Sequence, residues 1–110
     1  MLVVEDDPAT GRLLKLFFDR KGWDVSVAST VSDGLGRLSP PPDLLILDLD
    51  LPDGLGTRIL RQVRTDGLPT RVAVVTAQDV DRLDTVAALR PDALMQKPID
   101  LARLCLACGF

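Results

Sequence analysis

Five residues carry most of the chemistry this sequence can offer: the acid pair Glu5 and Asp6, the acid Asp48, the hydroxyl of Thr76 and the ammonium of Lys97. Each stands at or just after a short apolar run. Leu2-Val-Val4 precedes the pair, Leu44-Leu-Ile-Leu47 precedes Asp48, Arg71-Val-Ala-Val-Val-Thr76 ends in the hydroxyl, and Ala93-Leu-Met95 leads to Gln96-Lys97-Pro98. Three carboxylates brought together repel one another unless a cation sits among them, and hard oxygen donors select Mg²⁺ over softer metals. A lysine and a hydroxyl beside that metal would complete a cradle for an anion, as phosphoryl chemistry requires. Singly, each residue is an ordinary helix cap, loop acid or surface charge. Their joint placement is the signal.

Positioning them takes elements of two alternating kinds. Leu2–Val4 is a β-branched-rich strand. Asp7-Pro8 starts a helix, Asp as cap and Pro in its first turn, whose face carries Leu13, Leu14, Phe17 and Phe18 and which Gly22 closes. Gly11 is unfavourable inside that helix, and the sequence offers no reason for it. Residues 23–28 alternate as a second strand with Val25 and Val27 inward. A short helix over 30–38, capped by Ser29 or Thr30, stops at Ser39-Pro-Pro-Pro42. Leu44–Leu47 is too short for a helix and reads as a strand buried on both faces. A helix over 55–64 puts Ile59, Leu60 and Val63 inward, and 71–76 is another buried strand. A helix over 80–89 with Asp79 near its cap, a strand over 93–95 and a last helix capped by Asp100 and ending near Cys108 complete the chain. Five strands alternating with five helices mean βαβ units and a parallel sheet covered on both faces. In such sheets ligands bind outside the carboxyl ends of the strands, which puts all five chemical residues on one edge.

Composition narrows the function. With 110 residues the chain has the length of one domain, and no boundary or repeat divides it. It contains no histidine, which excludes imidazole-based nucleophilic catalysis and His-containing zinc sites. A net charge of −3, no tyrosine and 4% aromatic residues argue against a nucleic-acid surface. Cys105 and Cys108 have C-x-x-C spacing but lie inside an apolar helical stretch, where they read as small packing residues. No run approaches the ~20 apolar residues of a membrane span, and the start turns acidic at once. The sequence therefore reads as a cytoplasmic protein, free of membrane.

The segments Val3-Val-Glu-Asp-Asp-Pro8, Leu45-Ile-Leu-Asp-Leu-Asp-Leu-Pro-Asp-Gly54, Val75-Thr-Ala77 and Gln96-Lys-Pro98 together resemble the receiver domain of two-component response regulators, the chemotaxis-regulator type included. The resemblance covers essentially the whole chain. It implies a single flavodoxin-like, doubly wound (βα)5 domain over residues 1–110, strand order 2-1-3-4-5, with no output domain in this chain. It implies a bacterial signalling domain rather than an enzyme, catalysing at most its own phosphorylation and slow dephosphorylation. Asp48 would take a phosphoryl group from the phosphohistidine of a sensor histidine kinase or phosphotransfer protein. Mg²⁺ would be held by Glu5, Asp6, Asp48 and the backbone carbonyl of Asp50. Lys97 would pair with the phosphoryl group, Thr76 would hydrogen-bond it, and Ala77 would leave room and offer its N–H. A cis peptide before Pro98 would point Lys97 inward, and a homodimer would use the fourth helix, fifth strand and fifth helix.

Two positions depart from that family. Leu94 stands where an aromatic switch residue is usual, so signalling would move mainly the loop after Thr76 and the next helix. Asp50 adds a carboxylate two residues past the acceptor, expected to tighten Mg²⁺ binding. Two rival readings exist. One is a receiver-like module that works without phosphorylation. The other is a haloacid-dehalogenase-type phosphatase, suggested by Asp48-Leu-Asp50 but opposed by the acid pair opening the chain and by the lack of room for a substrate cap.

Overall fold

In a computed structural model, which describes residues 1–79 and 83–107, the chain runs β1 (Leu2–Val4), α1 (Pro8–Asp19), β2 (Ser26–Ala28), α2 (Val31–Gly36), β3 (Leu44–Leu47), β4 (Asp50–Leu51), β5 (Gly54–Leu55), α3 (Thr57–Thr65), β6 (Arg71–Thr76), α4 (Asp84–Ala88), β7 (Ala93–Gln96) and α5 (Leu101–Ala107). Five strands form a parallel sheet in the order β2-β1-β3-β6-β7. That is 2-1-3-4-5 once the small antiparallel pair β4-β5 is left out of the count.

Strand residues point alternately to the two faces, and the core divides accordingly. Leu2, Val4, Leu45, Leu47, Val72 and Val74 pack with residues of α2, α3 and α4. Val3, Leu44, Ile46, Ala73 and Val75 pack with Leu14 and Phe18 of α1 and Leu104 of α5. All residues of β1 and β3 are buried, as central parallel strands require.

Helix starts follow the sequence signals. The Asp7 carboxylate accepts from Thr10 N (3.3 Å) with Pro8 beginning α1, Thr30 caps α2 through Asp33 N (3.0 Å), and Asp100 caps α5 through Arg103 N (3.1 Å). Gly22 has φ +91° just past α1, where a side chain would be strained. Gly11, unexplained by the sequence, has a packing reason. A Cβ there would lie 3.3 Å from Val27 Cγ1, so the glycine lets α1 lie close on β2.

Three expectations are corrected. The strand expected over 23–28 begins at Ser26, because its partner strand begins at Leu2 and the pairing is Leu2↔Ser26; Trp23 N donates instead to Phe18 O (3.1 Å). The helix expected from Leu55 begins at Thr57, because Gly54–Leu55 pairs with Asp50–Leu51 in a hairpin that the sequence reading missed. The helix expected over 80–89 is helical from Asp84 to Ala88. Leu83 has non-helical angles (φ −99°, ψ 54°) and packs on the core, while residues 80–82 and the end near Cys108 lie outside the described residues. Cys105 is half-buried against the α1–α5 side of the core, consistent with a packing role. No described helix is long and apolar enough to cross a membrane.

Candidate functional site

The parallel strands bring their carboxyl ends to one edge, and main-chain hydrogen bonds carry the ladder one residue further into the site. Val4 lies beside Leu47, and Thr76 beside Gln96. Beyond those rungs Glu5 N donates to Ala28 O (2.9 Å), Asp48 N to Val4 O (2.9 Å) and Lys97 N to Thr76 O (2.7 Å). Glu5, Asp48 and Lys97 thus hang from the sheet by their own backbone amides.

The side chains converge. Glu5, Asp6 and Asp48 each bring a carboxylate oxygen within 4.8 Å of the others. Lys97 Nζ lies 2.6 Å from Glu5 Oε1 and 3.3 Å from Asp48 Oδ2, joining β7 to β1 and β3. Glu5 and Asp48 are buried, Asp6 is exposed, and the peptide bond between Lys97 and Pro98 is cis, as the resemblance implies. Burial raises the Glu5 pKa to about 7; the neighbouring Asp48 adds to the rise and Lys97 opposes it. For Lys97 burial works against the charge, but the Glu5 hydrogen bond and the Asp48 charge outweigh it and hold the pKa above its ordinary value.

Glu5 therefore binds its proton more tightly folded than unfolded, where 4.5 applies. Its contribution to stability is complete below about pH 4.5 and is lost as pH rises through about 7. We expect the metal-free domain to lose melting temperature between about pH 5 and 7.5, and added Mg²⁺ to flatten that slope. A melting temperature constant across this window without metal would refute the assignment.

Thr76 is fully buried at the end of β6, with its Oγ accepting from Gln78 N at 3.1 Å. Ala77 beside it is exposed. The Asp50 backbone N–H donates to Asp48 Oδ1 (3.3 Å), so Asp50 main chain sits against the acid cluster. The Asp50 side chain turns to Gln78, whose Nε2 donates to its Oδ1 (2.7 Å). Leu94 is half-buried and packs on the α2–α4 side of the core, as a sheet residue does. Sequence reasoning missed Gln78, for which no local signal exists, and Gly56. A Cβ at Gly56 would lie 2.2 Å from the Asp48 carbonyl oxygen and 3.0 Å from Leu49 Cα. The glycine pair in Leu-Pro-Asp-Gly-Leu-Gly56 could have signalled that close approach.

A doubly wound parallel sheet with buried acids and a lysine at its carboxyl edge defines an α/β domain whose site lies at the strand ends. Comparison with known proteins identifies its family. Residues 1–108 match the response regulator receiver domain. The chain is 37% identical over 107 residues to the transcriptional regulatory protein TrcR of Mycobacterium tuberculosis, covering 94% of this chain and 41% of that protein. It is 34% identical over 106 residues to the KDP operon transcriptional regulatory protein KdpE of Escherichia coli, covering 94% and 47%. The BeF3-activated N-terminal receiver domain of Klebsiella pneumoniae RstA superposes with a TM-score of 0.84 at 25% identity, over 99% of this chain and 97% of that one. The chain belongs to the response regulator receiver domain family. Such domains are signalling domains rather than enzymes, and this chain spans less than half the length of the curated relatives it matches.

Proposed function

We propose that this domain accepts a phosphoryl group on Asp48 from the phosphohistidine of a sensor histidine kinase or phosphotransfer protein. One observation supports it above others: Asp48 is buried with Lys97 on one side and two further acids within 4.8 Å, and Glu5 Oε2 is buried with no hydrogen-bond partner among the described residues. An orphaned carboxylate oxygen among hard donors fits Mg²⁺. Glu5, Asp6, Asp48 and the Asp50 carbonyl would hold it. When bound, the metal supplies positive charge against the phosphoryl oxygens.

The remaining work belongs to the chain. An Asp48 oxygen attacks phosphorus, the O–P bond forms as the N–P bond breaks, and the electron pair returns to the donor imidazole. Lys97 then exchanges its carboxylate partners for the phosphoryl oxygens. Thr76 rotates its hydroxyl from Gln78 N toward the phosphoryl group, with the Ala77 N–H a further donor. Because Gln78 also holds Asp50, that rotation pulls on the loop after β6 and on α4, which carries the signal where Leu94 supplies no aromatic switch. The homodimer through α4, β7 and α5 and the cytoplasmic setting belong to the same reading, and Leu106 of α5 is 77% exposed.

Incubation with acetyl phosphate and Mg²⁺ followed by intact mass measurement tests it. The expected result is the gain of one phosphoryl group, absent from Asp48→Asn. No gain by the native chain would favour a module working without phosphorylation, and turnover of small phosphate esters would favour a phosphatase.

A further inference from the structure

The hairpin after Asp48 is held at a few points: Leu51 packs in the core, and Asp50 meets Asp48 through its N–H and Gln78 through its side chain. β4 and β5 share two rungs, Asp50↔Leu55 and Leu51↔Gly54, both β5 residues are exposed, and a two-stranded ladder is marginal alone. Its base is tied by Gly56 N donating to Leu49 O (2.8 Å). Among the described residues, its tip is tied by one side chain. Asp53 Oδ1 accepts from Val31 N (2.7 Å) and Oδ2 from Ser32 N (3.0 Å), the first two amides of α2.

The other end of that tie is rigid. Val31 and Gly34 are buried, and a Cβ on Gly34 would meet Ile59 Cδ1 at 2.6 Å and Val4 Cγ2 at 3.2 Å, so α2 lies hard against the sheet and α3. Between base and tip lies Asp50, the residue whose carbonyl the proposed function gives to the metal.

We propose that Asp53 is a positioning residue for the metal site: by fastening the hairpin tip to the start of α2, it holds the Asp50 backbone beside Asp48. The inference rests on the functional reading above. It adds that metal affinity is set partly by a contact between two surface elements, with the tethering residue itself outside the acid cluster. Partners that orient a metal ligand typically matter at the ten- to hundredfold level.

Thr30 supplies the control. It caps the same helix through Asp33 N and, among the described residues, makes no hydrogen bond to the hairpin. Titration of the full chain with Mg²⁺ alone, by calorimetry, should show Asp53→Ala binding about tenfold more weakly than the native chain. Asp53→Asn, which keeps one acceptor oxygen, should fall between them and covers the case in which the alanine variant does not fold. Thr30→Ala should melt earlier yet bind Mg²⁺ as the native chain does. Native affinity in both Asp53 variants, or an equal loss in Thr30→Ala, would overturn the tether. Absence of Mg²⁺ binding by the native chain would instead overturn the reading of the acid cluster itself, and the tether with it.

Discussion

Lys97→Met is expected to accept phosphate at least about a hundredfold more slowly than the native domain while binding Mg²⁺ more tightly. The first effect follows from removing a fixed positive donor from the place where phosphoryl charge develops, a loss of two to three orders of magnitude at comparable sites. The second follows from the metal-free geometry. Lys97 Nζ occupies Glu5 Oε1 and Asp48 Oδ2, the same acids that would hold the cation, so ammonium and metal compete for them. Without metal the variant should also be less stable by about 2 kcal/mol, below the cost of breaking a fully buried pair because the Lys97 side chain keeps 26% of its exposure. Rate and affinity moving in opposite directions is the diagnostic result. A parallel loss of both would mean that Lys97 mainly holds the site together.

Gly56→Ala should be the most damaging small substitution near the site. The added methyl would fall 2.2 Å from the Asp48 carbonyl oxygen and 3.1 Å from its carbonyl carbon. Both are backbone atoms, which cannot step aside as a side-chain tip can. Either α3 moves off the sheet or the Asp48 main chain moves, and the cost should be about 3 kcal/mol or more. Gly36→Ala is the matched comparison: nothing lies within 4 Å of its new methyl, at the end of α2. It should be neutral or stabilising by up to about 1 kcal/mol. Urea unfolding of the two variants checks the contrast, and similar midpoints would show that the loop around Asp48 is loose.

What the sequence made legible follows from where side chains must go. Glu5, Asp48, Thr76 and Lys97 could be placed on one edge because each ends or follows an apolar run whose burial fixes the strand, and parallel strands share a carboxyl end. The helix starts at Pro8 and Leu101 were readable because an aspartate stands just before the first turn. The β4-β5 hairpin was not. Leu51 and Leu55 are four apart, which suits a helix face as well as a two-rung ladder, and contacts distant in sequence, such as that of Asp53 with α2, favour the latter. Gln78 and Arg64 were silent for a similar reason. Gln78 reaches Asp50 28 positions away, and Arg64 Nε donates to Leu89 O (3.0 Å) across 25 positions, pairings no local pattern encodes.

The Lys97–Glu5 contact spans 92 positions, nearly the full sequence. During synthesis the acids of β1 and β3 emerge long before the residue that neutralises them, and a loop of this size closes late. A half-made domain therefore exposes its carboxylates without their counter-cation. The acid cluster gains its counter-cation only once the edge strand β7 has joined the sheet, so the charge balance of the site reports on the pairing of the last strand.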